Sequence, residues 1–153
     1  MTTGTETGRW AAPTETERAL YDAQARGDTD AQLDALSRTR LYVLLPRLDA
    51  DTPDFITPPR SQRDPATGRT CFPVLTPGLL PPWHPDWVFR RTTLAELAHG
   101  WPDNGWWLGV NLDTPIASAV PARPGHRKAW LAAVERTGGP QPGRLITHGA
   151  GPL

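Results

Sequence analysis

One cysteine (Cys71), one methionine and one lysine (Lys128) occur in the 153 residues. A lone cysteine excludes an intrachain disulfide, so nothing covalent staples the fold. No apolar run approaches the ~20 residues of a membrane-spanning helix. Met1 to Trp10 carries neither the basic start nor the apolar stretch of a secretory signal. The expectation is a soluble, cytoplasmic protein without a membrane partner. Net charge is missing too, since 16 Lys plus Arg balance 16 Asp plus Glu. With no global field and no RNA-reading motif, nucleic acid is not an expected partner. The near absence of lysine against fifteen arginines reads as compositional bias rather than selection for guanidinium chemistry.

What is abundant is tryptophan. Of seven, five fall between Trp83 and Trp107, in Trp83-His84-Pro85-Asp86-Trp87 and Trp101-Pro102-Asp103-Asn104-Gly105-Trp106-Trp107. Tryptophan presents a large apolar surface with a single N–H to satisfy. Such density marks either the heart of a small core or a face meant for a partner. Trp106 and Trp107 are adjacent and point to opposite faces of a strand, so one is expected in the core and the other under a covering element or exposed. Trp130 belongs to the apolar face of the last helix. Trp83 and Trp87, in a proline-rich stretch, fit burial and partner contact equally.

With 38% hydrophobic and 21% charged residues, the chain suits one packed domain. Met1 to Pro13 reads as a mobile tail. Thr14 and Glu17 have capping-box spacing and start a helix that Gly27 stops. Its apolar stripe of Ala19, Leu20 and Ala23 is thin, which places it at the core's edge. A second helix spans about Asp30 to Arg38. Leu41 to Leu45 is a continuous apolar run ended by Pro46, as in a buried strand. Leu48 to Thr70 is a polar, proline-rich loop with a short strand at Phe55-Ile56 as an option. Cys71 to Thr76 is a second strand, with Pro73 requiring an edge or a solvent-facing N position. Trp87 to Arg91 alternates weakly as a strand. Thr93 then caps a short helix, Leu94 to His99, stopped by Gly100. After a turn at Asn104-Gly105, Trp106 to Leu112 is a strand, and Ile116 to Val120 pairs with it across Asp113-Thr114-Pro115. The last helix runs from Pro124 to Thr137, and 138–153 is a Gly/Pro-rich tail. The fold class is therefore α+β: one domain over 14–137, with a small, mainly antiparallel sheet of about four strands, two N-terminal helices, a short middle helix and a C-terminal helix.

Chemical motifs are sparse. His84 and Asp86 share a face if extended, but His99, His126 and His148 add no ligand spacing, so no metal site is expected. A turn closed by the Asp86 carboxylate is the simpler reading. Cys71 sits in an apolar strand, where a thiol is inert packing. Ser61 and Ser118 lack a nucleophile-elbow context. Gly149-Ala150-Gly151 lacks the strand and helix of a phosphate loop. No catalytic residue and no cofactor follow from the sequence. Arg123, His126, Arg127 and Lys128 gather where the last helix starts and form a candidate basic patch against the helix dipole. Trp83, His84, Trp87, Arg90 and Arg91 form the candidate protein-contact segment, since Trp and Arg dominate interface hot spots.

The order of elements resembles the N-terminal domain family of SseB, the enhanced-serine-sensitivity protein. Leu41-Tyr42-Val43 stands as the first strand and Phe72-Pro73-Val74-Leu75-Thr76 as the family's Pro-x-Phe-Thr element. Leu94-Ala95-Glu96-Leu97 matches the short helix, and Val110-Asn111 the strand that ends in Asn and a turn. The likeness covers Glu17 to Ala122. It implies a small α+β domain without established catalytic residues, sometimes associated with secretion or toxin systems. The expected function is a non-catalytic binding or accessory protein whose partner is another protein. An immunity or chaperone-like partner of a secreted toxin is the alternative, and a small enzyme the third class.

Overall fold

The computed structural model describes residues 10–46 and 61–140. The Phe55-Ile56 strand option lies outside them. The first helix, α1 (Glu15–Arg26), ends at Gly27 with φ 66°, a left-handed conformation that glycine adopts without steric cost. Asp28 then caps α2 (Thr29–Arg38), its Oδ1 accepting from the Ala31 N–H at 3.0 Å. β1 (Arg40–Pro46) follows, and beyond 47–60 come β2 (Gln62–Arg63), β3 (Thr70–Val74) and a 3-10 turn at Pro77–Leu79. β4 (Trp87–Thr93) runs directly into α3 (Leu94–His99) through Thr93, whose hydroxyl accepts from the Glu96 N–H at 3.1 Å. β5 (Trp107–Val110), β6 (Ser118–Val120) and α4 (Pro124–Thr137) complete the chain. α4 stops at Gly138, again left-handed with φ 70°. The class is α+β, as composition and order imply.

The strands divide into two sheets. β1 and β4 form a two-stranded antiparallel ribbon, from Arg40 opposite Thr93 to Pro46 opposite Trp87. The other sheet has the order β2-β3-β5-β6. Its pairs are antiparallel except β3 with β5, which run parallel from Cys71 opposite Trp107 to Val74 opposite Val110. A parallel pair needs a crossover; here the 3-10 turn, β4 and α3 provide it. One bridge, Tyr42 with Leu75, joins the sheets.

Two strand expectations are corrected, and the strand of Pro73 takes the second of its two options, an N position free of the ladder. β3 is an interior strand, not an edge. Pro73 is tolerated because alternation turns it, with Leu75, toward the β2 and β1 side. There β2 reaches only Cys71 and β1 touches only Leu75, so Pro73 faces a gap in the ladder. β1 is not buried on both faces: Leu41 and Leu45 are buried and the residues between are half-covered. β6 begins at Ser118, because Ile116 drops into the core from the preceding turn.

Leu20, Leu36, Leu41, Leu94, Leu108 and Trp130 are fully buried at the centre. α1 packs on α2, and α2 and α3 both pack on α4. Trp101, not Trp106 or Trp107, is the tryptophan of the dense segment that joins this core. It meets Phe72 at 5.7 Å and Trp130 at 5.3 Å, both edge to face. Trp106 and Trp107 are each half-buried, and the Arg69 guanidinium covers the Trp107 ring at 3.7 Å. At the other end, Trp10 packs on Tyr21 at 6.1 Å, so the end of the segment read as a tail rests on α1. Gly139 abuts the Ser37 carbonyl, with no room for a Cβ.

Candidate functional site

The ribbon carries the candidate contact segment. Alternation along β4 puts Trp87, Phe89 and Arg91 on one face. The register sets Leu44 opposite Phe89. Pro81, Pro82, Trp83 and His84 approach from the connection before β4, and with Leu44, Trp87, Val88 and Phe89 they line a groove of about 700 Å³, Arg91 lying beyond its lining on the same strand face. Trp83 is 75% exposed and Trp87 42%, the two exposed large hydrophobic side chains among the described residues. The structure thus resolves the even choice at Trp83 and Trp87 in favour of exposure. Arg91 is exposed and Arg90 half-buried on the opposite face of β4. The predicted set therefore separates: Trp83, His84 and Trp87 line the groove, Arg91 follows on the same face of β4 beyond it, and Arg90 is turned away. Phe89 and Leu44 were missed. Phe89 follows from period-two alternation after Trp87; Leu44 needed the register of a strand more than forty residues away.

The turn before β4 closes differently from the expectation. The Asp86 N–H donates to His84 Nδ1 at 3.1 Å, and the Trp87 N–H donates to the His84 carbonyl at 3.3 Å. The imidazole, not the Asp86 carboxylate, is the acceptor that shapes this turn. The Asp86 carboxylate lies 3.8 Å from the same nitrogen.

The basic patch does not assemble as four free charges. Arg127 turns back, donating to the Ala122 carbonyl and, at 2.9 Å, to Asn104 Oδ1. It ties the start of α4 to the turn before β5. Arg123, His126 and Lys128 are exposed.

A buried polar joint had no place in the sequence reading. Thr14 does not cap the α1 backbone with its side chain; its hydroxyl donates to the Glu17 carboxylate instead. Glu17 is fully buried. Its other oxygen accepts from the Gly78 N–H at 2.8 Å, and the Thr76 hydroxyl also donates to the carboxylate. Asn111, in left-handed backbone with φ 53°, accepts from the Thr76 N–H at 3.0 Å and donates to the Thr76 hydroxyl at 3.1 Å. Burial pushes the Glu17 carboxyl up, but the hydrogen bonds from Thr14, Thr76 and Gly78 outweigh it and hold the carboxyl below its ordinary value. A Cβ on Gly78 would collide with that carboxylate. Every partner is internal, so the joint pins α1, the 3-10 turn and the end of β5 together.

Burial and the Asp64 charge raise the Cys71 thiol above its ordinary value, against a smaller effect of Arg69, and its sulfur faces the Arg69 carbonyl at 3.7 Å. A thiol so placed is a poor nucleophile. Among the described residues, no three His, Cys, Asp or Glu side chains converge as metal ligands, and no helix is long and apolar enough to cross a membrane. A second cleft of about 300 Å³ lies between α2, β6 and α4 over Leu33 and Trp130. The Ser118 hydroxyl on its wall accepts from Gln32.

No protein-family model, curated protein or solved structure matches this chain.

Proposed function

We propose that this chain is a non-catalytic binding protein whose contact surface is the aromatic and proline groove around Trp83, Trp87 and Phe89. One observation carries this reading: the two most exposed large apolar side chains share a single groove instead of being scattered. Contiguous exposed apolar surface marks an interaction site, and a tryptophan pair flanked by arginine suits an interface hot spot. A protein partner in the cytoplasm belongs to the same reading, supported by a buried single thiol that needs no oxidising compartment.

Membership of the SseB N-terminal class stands as a proposal as well. Its support is internal: the threonine that ends the Phe72 to Thr76 element and the asparagine after Val110 meet side chain to side chain in the buried joint. Two motif ends 35 residues apart thus have one physical reason to occur together.

The test is affinity capture from the native cell extract with the wild-type chain and the Trp83→Ala/Trp87→Ala double variant, followed by mass spectrometry. A specific protein retained by the first and lost by the second supports the groove. Identical protein sets from both overturn it.

A further inference from the structure

The groove ends on an open strand edge. Tyr42 exchanges both backbone hydrogen bonds with Leu75, so its N–H and C=O point away from β4. Arg91, directly opposite Tyr42, then turns its own N–H and C=O away from β1. By alternation so does Phe89. Among the described residues no strand pairs with this outer edge of β4. The ribbon is also locally basic in a chain with no net charge: β1 and β4 hold Arg40, Arg90 and Arg91 and no acidic residue. On the groove face, apolar Trp87 and Phe89 lead to Arg91.

We propose, resting on the groove reading, that the partner docks as an added antiparallel β-strand whose residues alternate acid, any, apolar, any, apolar from N- to C-terminus. Main-chain bonds to Phe89 and Arg91 give affinity, and alternate side chains give specificity. In antiparallel register the acid lies opposite Arg91, and the two apolar residues lie opposite Phe89 and Trp87 at cross-strand contact distance. A second copy of this chain does not meet this pattern through its own β4, which holds no acid to set opposite Arg91.

The probe is a capped nine-residue peptide with glutamate at its third position, phenylalanine at the fifth, valine at the seventh and threonine elsewhere. Its twin has lysine in place of glutamate. Tryptophan fluorescence reads binding, and amide hydrogen exchange reads the edge. The glutamate peptide is expected to bind at least tenfold more tightly than the lysine peptide in low salt, with the gap narrowing as salt rises. The Phe89 and Arg91 amides should gain protection. In R91E, checked for an unchanged melting profile, the preference should reverse. Equal binding of both peptides, no saturable binding up to millimolar peptide, unchanged exchange at Phe89 and Arg91, or concentration-dependent self-pairing of the edge would each overturn strand addition. If the peptides fail while native capture still depends on Trp83 and Trp87, the groove reading survives and only this inference falls.

Discussion

The Glu17 joint and the Trp83 groove each break the ordinary rule of burial, in opposite senses. One puts a carboxylate inside; the other leaves two tryptophans outside. The difference lies in their partners. Glu17 receives three internal hydrogen bonds, and Thr76 and Asn111 complete each other beside it. A polar group buried with all its needs met is part of the frame. Trp83 rests in a groove open to water. An apolar group left in water gains its burial only from another molecule. The proposed roles are therefore stability for the first region and contact for the second, and substitutions should separate them.

The largest effect is expected at the joint. Glu17→Ala removes an acceptor from the buried Thr76 hydroxyl and the half-buried Gly78 N–H, a loss of about 3 kcal/mol. For a chain of this length that is roughly 10 °C in Tm. Denaturant unfolding checks it, and a loss below about 1 kcal/mol would place the joint among dispensable contacts. Acid should reach the same bond. Because the folded carboxyl titrates below its ordinary value, its contribution is whole above the unfolded value of about 4.3 and fades as pH falls through the lower, folded value. Urea midpoints measured from pH 7 down to 3 should fall more steeply for wild type than for Glu17→Gln. Parallel curves would remove Glu17 from the acid limb.

Asn111 sharpens the comparison by splitting backbone from side chain. Asn111→Ala loses both bonds to Thr76 and forces an alanine into left-handed backbone, about 2 to 3 kcal/mol together. Asn111→Gly loses the same bonds without the strain and should recover about 1 kcal/mol of that. Equal unfolding free energies for the two variants would mean that the turn relaxes.

Helices were the legible part of this fold because their signals are local. Gly27, Gly100 and Gly138 stop helices where they stand in the sequence, and Thr93 caps the one that follows it. Thr14 and Glu17 gave the right helix start for the wrong reason. The spacing is that of a capping box, but the carboxylate is spent on a turn sixty residues away. The parallel pairing of β3 with β5 was hidden likewise, since hydrophobic alternation reports a strand and not its neighbour. At the site, exposure of Trp83 and Trp87 could not be read from composition. Whether an aromatic beside proline is covered depends on what the fold brings over it. Trp101 shows the opposite outcome from a similar context, half-buried and packed edge to face on Phe72 and Trp130 at the core.

Arg127 tests the boundary between frame and surface. Its bonds to Ala122 and Asn104 place it with the frame, so Arg127→Ala should cost about 1 kcal/mol, whereas Lys128→Ala, nearby and exposed, should stay within about 0.5 kcal/mol of wild type. Thermal melts of the pair check this. Equal melts would return Arg127 to the surface patch.

The smallest stability effect belongs to Trp83. Removing a side chain that is three-quarters exposed gives up little packing, so Trp83→Ala should unfold within about 0.5 kcal/mol of wild type. Its effect on association should run the other way. Loss of a hot-spot tryptophan typically weakens a complex by about 2 kcal/mol, near thirtyfold. Titration of the captured partner against both proteins, beside their denaturant curves, measures the two quantities together. A Trp83→Ala variant that binds like wild type but unfolds easily would invert the comparison and make the groove part of the frame. One that folds like wild type and binds poorly leaves contact as the only work for an indole held in water.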